Sequence, residues 1–296
     1  MRTKRIILFI IIFIFLGAGL YFFRQQKLRF EAKKVAWEDL RRNIEREIAR
    51  FSGETGIVVK DLSRRWEFSH NKSALFPAAS LTKMPIMAAC FLASEQGKIK
   101  LGDNIALKSK DKLTGSGILK GMPTGTDLSV QELIGLMIYD SDNTAANILT
   151  NLAGMDYLNN TFKSFGLKNT DLSRKIADYR SRNKGIENYT SAEDMALLLE
   201  NMYRGTLCNK YVSDECLSVM KLTRTNDRIP RYLPANIVIA HKTGLENGVC
   251  HDAGIVFTER GDFIIIVLTK RVNSNSVLSK KFIARVALIA YNYFAQ

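Results

Sequence analysis

The longest stretch of uniform character along the chain is apolar. Ile6 to Phe23 reads IILFIIIFIFLGAGLYFF, eighteen residues without a charge. As a helix rising about 1.5 Å per residue, it just spans a bilayer core. The pattern predicts an uncleaved signal anchor, a transmembrane helix over residues 1–23. A cleaved signal peptide is the alternative, but its apolar part is shorter and closes on a small-x-small site. Here the run ends in Tyr21-Phe22-Phe23-Arg24, with no cysteine after it for lipid attachment. Arg2, Lys4 and Arg5 before the run are rivalled by Arg24, Lys27 and Arg29 after it, so basic flanks leave the orientation open.

Residues 24–34 are polar and basic and read as a juxtamembrane stalk. Trp37, Leu40, Ile44, Ile48 and Phe51 then recur at helical spacing. Ile57-Val58-Val59 and Trp66-Glu67-Phe68 predict two strands joined by a turn around Asp61 to Arg65. From Ser80 to about Glu200 the periodicity is mostly helical, with runs over 84–93, 130–138, 144–152 and 192–203. After Pro234 it turns to strands, over 237–240, 253–258 and 263–269, and 280–294 closes as a helix. Strand-forming segments at both ends of a helical middle predict an α/β, or α+β, sandwich. Its antiparallel sheet comes from the N- and C-terminal segments, is flanked by helices, and carries an inserted all-helical subdomain. No internal repeat or low-complexity linker divides residues 35–296, which read as one unit of two lobes.

Composition narrows the function classes. Hydrophobic residues are 46% and charged residues 24%, enough apolar material for a sizeable core. The formal charge is +14, and it is still +11 without Arg2, Lys4 and Arg5, so the excess is not a tail effect. It reads either as a solubilising surface or as attraction to anionic membrane or cell-wall polymer. No zinc-finger spacing or ribonucleoprotein motif accompanies it, so a nucleic-acid partner is not expected. Three histidines, His70, His241 and His251, form no metal-binding pattern, and neither metal nor cofactor is expected. The same histidines, with no Gly-x-Ser-x-Gly elbow, give little support to a Ser-His-Asp hydrolase. Cys90, Cys208, Cys216 and Cys250 include no C-x-x-C pair. Cys208 and Cys216 are close enough to bridge in an oxidising compartment, and buried free thiols are the equal alternative.

Three short motifs carry candidate chemistry. Ser-x-x-Lys occurs at Ser69, Ser80, Ser109, Ser181 and Ser218, so alone it selects nothing. Context selects Ser80, which follows Phe76-Pro77-Ala78-Ala79 and opens the apolar run from Met84 to Ala89. A serine at a helix N-terminus meets unpaired N–H groups that favour a developing oxyanion. Lys83, one turn on, lies beside its hydroxyl, and apolar surroundings would make its amine a better proton acceptor. The plain alternative is a capping serine with a surface lysine. Ser141-Asp142-Asn143 stands between two apolar helical runs. It offers a second hydroxyl to relay a proton to a leaving amine, and an amide for a lysine or a substrate carbonyl. Its alternative is capping by Asp142 or Ser141. Lys242-Thr243-Gly244 ends a predicted strand. A lysine and hydroxyl there suit a substrate carboxylate, and glycine admits close backbone approach; an ordinary strand end is the alternative.

The three motifs occur in order, 61 and 101 residues apart. Together they resemble the signature of the class A β-lactamases and penicillin-binding proteins. Leu128 to Leu133, Ser141 to Leu149 and Thr190 to Met195 also look like class A segments, so the resemblance covers about residues 35–296. It implies Ser80 as nucleophile and Lys83 as its base or base partner. Ser141 would be the proton shuttle, and Asn143 would hold both lysine and substrate. Lys242, Thr243 and Gly244 would take the substrate carboxylate, with the N–H groups of Ser80 and Leu245 as oxyanion hole. It further implies a β-lactam or cell-wall peptide as substrate, a monomer, and a membrane-anchored domain outside the cytoplasm. One departure stands out. Where class A enzymes carry an omega-loop glutamate that activates the deacylating water, this chain has Ile176 within Leu172 to Arg180; Asp178 and Glu187 are the nearby carboxylates. A D,D-peptidase or another serine amidase or esterase, and a slow-deacylating or non-enzymatic lactam sensor, therefore stand beside the β-lactamase reading.

Overall fold

The computed structural model describes residues 2–271 and 276–295, with side chains from residue 15 onward. Two compact units are present, Met1–Arg46 and Glu47–Gln296. The described residues of the first lie within one uninterrupted helix, α1 (Arg2–Ala49). The expected stalk over 24–34 is therefore helical, in keeping with a stretch that contains neither proline nor glycine. Trp37, Leu40 and Ile44 are buried at the predicted spacing. Among the described residues no helix is long and apolar enough to cross a membrane. The first part of the Ile6 to Phe23 run lies outside the residues whose side chains are described.

The second unit begins with β1 (Glu54–Asp61) and β2 (Glu67–His70). Their turn is built by Asp61, whose Oδ1 accepts the Ser63 and Arg64 N–H groups at 2.9 and 2.8 Å. A short strand β3 (Phe76–Pro77) and a 3-10 turn (Ala79–Thr82) lead into α2 (Lys83–Glu95). A small ribbon, β4 (Asn104–Ala106) with β5 (Asp127–Ser129), precedes α3 (Val130–Tyr139), α4 (Asn143–Ala153) and α5 (Met155–Ser164). Then follow α6 (Tyr179–Asn183), β6 (Tyr189–Thr190), α7 (Ala192–Arg204) and α8 (Lys210–Met220). β7 (Val238–Glu246), β8 (Val249–Phe257), β9 (Phe263–Lys270) and α9 (Ser276–Phe294) complete the chain.

The sheet order is β2-β1-β9-β8-β7, antiparallel throughout, so N- and C-terminal segments do form one sheet around the helical middle. Alternation divides β9. Ile264, Ile266 and Leu268 join the core shared with α2 and α7, while Phe263 stacks on Phe294 of α9 at 4.4 Å. Cover on both faces explains why β9 reads as an apolar run instead of an alternating one. Helix α2 is likewise apolar on nearly every side and lies in the middle of that core.

Helices α5 and α8 were not among the expected runs, α9 begins four residues before its expected start, and two strand boundaries near the candidate site also differ from expectation. β7 was expected to end at the Lys242 motif but continues through it to Glu246, because each residue keeps a partner on β8, from Val238↔Phe257 to Glu246↔Val249. β8 begins at Val249, four residues before the expected start. The added residues include Cys250, His251 and Asp252, and all three are buried. His251 shows how: Nδ1 accepts the Thr269 N–H at 3.1 Å, so Nε2 carries the proton and donates to the Pro77 carbonyl at 2.8 Å. Burial pushes its pKa down to about 4.

Protonating His251 would strand a charge and break the Thr269 bond. The unfolded chain, with the imidazole at its ordinary value, takes up that proton first, so stability is full above about pH 6.5 and falls toward pH 4, by up to about 3 kcal/mol. Thermal melts across that window should show the loss, and His251→Gln should flatten it. A parent melting temperature constant from pH 6.5 to 4 would contradict the assignment.

Candidate active site

The turn before α2 is held in an unusual backbone. Ala79 has φ +47, the left-handed region, and Thr82 Oγ1 donates to its carbonyl at 3.0 Å. Ser80 is next, half-buried, on the 3-10 turn, one step before α2 proper. It caps neither element: their cap residues are Ala78 and Thr82, and neither makes a side-chain cap bond. The capping explanation for this serine therefore has no bond to rest on. Lys83, the first residue of α2, is 0% exposed and faces α4.

Ser141, at φ +54, and Asn143 receive that lysine. Lys83 Nζ donates to the Ser141 carbonyl at 2.6 Å, to Asn143 Oδ1 at 2.8 Å and to Ser141 Oγ at 3.3 Å. Capping in this motif belongs to Asp142 alone. Its Oδ1 accepts the Ala145 N–H at 3.0 Å and its Oδ2 the Leu119 N–H at 2.9 Å, which leaves its two neighbours for the lysine. The loop over 115–121 closes tightly on this carboxylate: at Gly117, φ +111, a Cβ would stand 2.2 Å from Asp142 Cγ.

β7 brings a second lysine from the opposite wall. Lys242 Nζ donates to Ser141 Oγ at 2.9 Å and to the Thr243 carbonyl at 2.9 Å. The strand passes hard against the Ser80 turn, where a Cβ on Gly244 would lie 3.4 Å from both Ala79 Cβ and the Ala78 carbonyl oxygen. One hydroxyl thus sits between two fully buried amines. Burial brings Lys83 down to about 7, against the opposing pull of Asp142 and Glu246. Burial, then the charges of Lys83 and Arg228, take Lys242 well below its ordinary value. An anion bound beside Lys242 would favour its charged form again.

Arg228 was missed by sequence reasoning, since nothing distinguishes an arginine in a loop from any other surface charge. It is 2% exposed, with Nε donating to Cys250 Sγ at 3.2 Å. The buried Asp252 anchors the adjoining turn, accepting the Ile229 N–H at 3.0 Å and meeting His241 Nδ1 at 2.9 Å.

The two carboxylates named as possible deacylation bases, Asp178 and Glu187, have their hydrogen-bond partners outside this cluster. Asp178 caps α6 through Ser181, N–H at 3.1 Å and Oγ at 2.6 Å. Glu187 is nearly buried and accepts from Arg174 Nε at 2.8 Å and the Asn188 N–H at 2.9 Å, with Arg182 at 3.1 Å. Ile176 is pinned from α4: Asn147 accepts its N–H at 3.0 Å and donates to its carbonyl at 2.9 Å. Glu246, unremarked in the sequence, reaches the same segment, pairing with Arg174 at 3.4 Å and Arg182 at 3.1 Å. Among the described residues no group of three or more His, Cys, Asp or Glu side chains could hold a metal ion.

Comparisons with known proteins point to one family. Residues 39–294 match the model of a family described as the β-lactamase enzyme family. The chain is 27% identical over 278 residues to β-lactamase VEB-1 of Pseudomonas aeruginosa, covering 87% of this chain and 91% of that protein. A solved β-lactamase from Sphaerobacter thermophilus superposes with TM-score 0.80 at 29% identity, over 88% of this chain and 98% of the other. The structure of PBP-A gives 0.79 at 28% identity, covering 87% and 96%, and a mutant of that protein was solved as its acyl-enzyme with penicillin G.

If Lys83 takes the Ser80 proton, its titration sets the rate. The neutral amine accumulates as pH rises through about 7, so labelling of Ser80 by a fluorophosphonate should climb across that value and then level off. Lys83→Arg, which keeps its proton, should lower the rate about 100- to 10,000-fold and remove the inflection. A parent rate flat from about pH 6 to about pH 8 would contradict the role.

Proposed function

Because the chain belongs to the β-lactamase enzyme family, we propose that it is a serine β-lactam hydrolase acting through an acyl-enzyme on Ser80. The observation that carries the reading is the convergence of Lys83 and Lys242 on the Ser141 hydroxyl, with Asn143 holding Lys83. Lys242 and Thr243, with Arg228 behind them, take the lactam carboxylate, and Gly244 leaves room along the edge strand β7. Neutral Lys83 removes the Ser80 proton as Oγ attacks the lactam carbonyl. The N–H groups of Ser80 and Leu245 hold the oxyanion. Ser141, between the two amines, passes the proton to the departing ring nitrogen. Asn143 keeps Lys83 aimed and receives the substrate amide. All these groups come from one chain, so the reading needs no second copy.

Hydrolysis of the ester is the weaker half of the cycle. Ile176 offers no proton acceptor, and Asp178 and Glu187 are held by other partners. Removing a general base typically costs about 100- to 10,000-fold, so the acyl-enzyme accumulates before it is released. A chromogenic cephalosporin should give a burst of one equivalent followed by slow turnover. A reporter penicillin should label Ser80, and Ser80→Ala should abolish labelling. Modification of Ser109 or Ser218 instead would overturn the assignment.

The same reading places the catalytic domain, residues 35–296, outside the cytoplasm, anchored by residues 1–23 through the stalk over 24–34. Its support is the uncharged run from Ile6 to Phe23 and the location of β-lactams and cell-wall peptide. Protease added to intact spheroplasts should digest the domain while the product stays with the membrane fraction; a soluble, protected product would contradict it.

A further inference from the structure

Ser80, Lys83 and Ser141 supply the groups acylation needs, yet the segment pinned to α4 by Asn147 carries Ile176 at the position where the family resemblance implies a water-activating carboxylate. We propose that Glu246, from the end of β7, is the carboxylate that activates water to hydrolyse the Ser80 ester. This rests on the serine hydrolase reading above.

Position comes first. β7 touches the Ser80 turn at Gly244. Glu246 is two residues further on, about 7 Å along the strand, so its side chain has reach over the same turn. That side chain bends toward the segment holding Ile176, where Arg174 and Arg182 meet it. It therefore arrives from the strand in the neighbourhood that the segment itself leaves apolar.

Elimination comes second. Asp142 and Glu246 are the carboxylates whose charge favours the protonated form of Lys83. Asp142 is 1% exposed, and both its oxygens already accept backbone N–H groups. Glu246 is held more loosely. Its Oε1 meets Arg174 Nη2 only at 3.5 Å, and its Oε2 meets Arg174 and Arg182 at 3.4 and 3.1 Å. Oε1 thus has one long contact and room for a water, where Glu187 Oε1 already accepts from Arg174 at 2.8 Å and from the Asn188 N–H at 2.9 Å.

The step balances. Water oxygen attacks the ester carbonyl carbon as one of its protons passes to the Glu246 carboxylate. The tetrahedral oxyanion collapses, the bond from carbon to Ser80 Oγ breaks, and Glu246 returns its proton to Oγ. Free serine and the opened lactam's carboxylic acid result. Arg174 and Arg182 hold Glu246 in ion pairs, so a water must compete with them for its oxygens, which keeps the step slow and agrees with an accumulating acyl-enzyme.

The test uses the full chain with a chromogenic cephalosporin, reading burst amplitude and steady-state rate separately, with intact mass reporting the adduct. Glu246→Gln should keep the one-equivalent burst and lose at least about 100-fold in steady-state rate, with the Ser80 adduct persisting. Glu246→Asp, which keeps a retracted carboxylate, should fall between. Arg182→Gln should raise the steady-state rate, because it frees the base. Ile176→Glu placed in Glu246→Gln should restore turnover. The proposal is overturned if Glu246→Gln turns over within about threefold of the parent, if it loses the burst, or if Glu246→Gln and Arg182→Gln fall together, the mark of a merely structural ion pair. Absence of a burst and of turnover in the parent would instead overturn the hydrolase reading.

Discussion

An amine sealed from water is the constraint on which the site depends. Lys83 has a core of α2 side chains beneath it and three oxygens before it, from Ser141 and Asn143. Desolvation penalises its charge, and the polar cage returns only part of that loss. The amine therefore titrates near neutrality, where it can accept a proton from a hydroxyl one turn away. The rest of the unit can be seen as the scaffold for this balance. The helical middle supplies the apolar floor and α4 the oxygens. β7 adds a second buried amine that leaves Ser141 bridging two bases.

The backbone is bent to maintain it. Ala79 and Ser141, on opposite sides of the lysine, both hold left-handed φ, a conformation costing of order 1–3 kcal/mol when the surroundings do not enforce it. Enforcement is visible on each side. His251 and Asn188 fix the strand ahead of Ser80, through the Pro77 carbonyl and the Ala78 N–H. Asp142 fixes the turn after Ser141 through two backbone N–H groups. The polar residues buried in β8 follow the same logic: Cys250, His251 and Asp252 are each bonded to a segment that borders the site.

This explains what the sequence made legible. Ser80, Lys83, Ser141, Asn143 and Lys242 could be singled out because the chemistry fixes residue type and local spacing, and the fold brings the side chains of Lys83, Ser141, Asn143 and Lys242 together. One sheet from the N- and C-terminal segments and the helical insertion followed from where periodicity changes. Arg228 and Glu246 were opaque for the opposite reason. Each acts through a tertiary neighbour far away in the chain, and each looks locally like any charge in a loop or at a strand end. The start of β8 was hidden because its polar residues are satisfied by partners that only the folded chain supplies. Asp178 and Glu187 were visible as carboxylates, but their engagement with Ser181 and with Arg174 was not.

The account is tested most directly at the lysine itself. Selective labelling of the lysine side chains and an NMR titration of the Lys83 ε position in the unliganded protein would read its ionisation without any assumption about substrate. The account predicts a midpoint at about 7. A midpoint at the ordinary lysine value of about 10.4 would mean that Lys83 remains an ammonium at neutral pH, and that Ser80 must find its proton acceptor elsewhere.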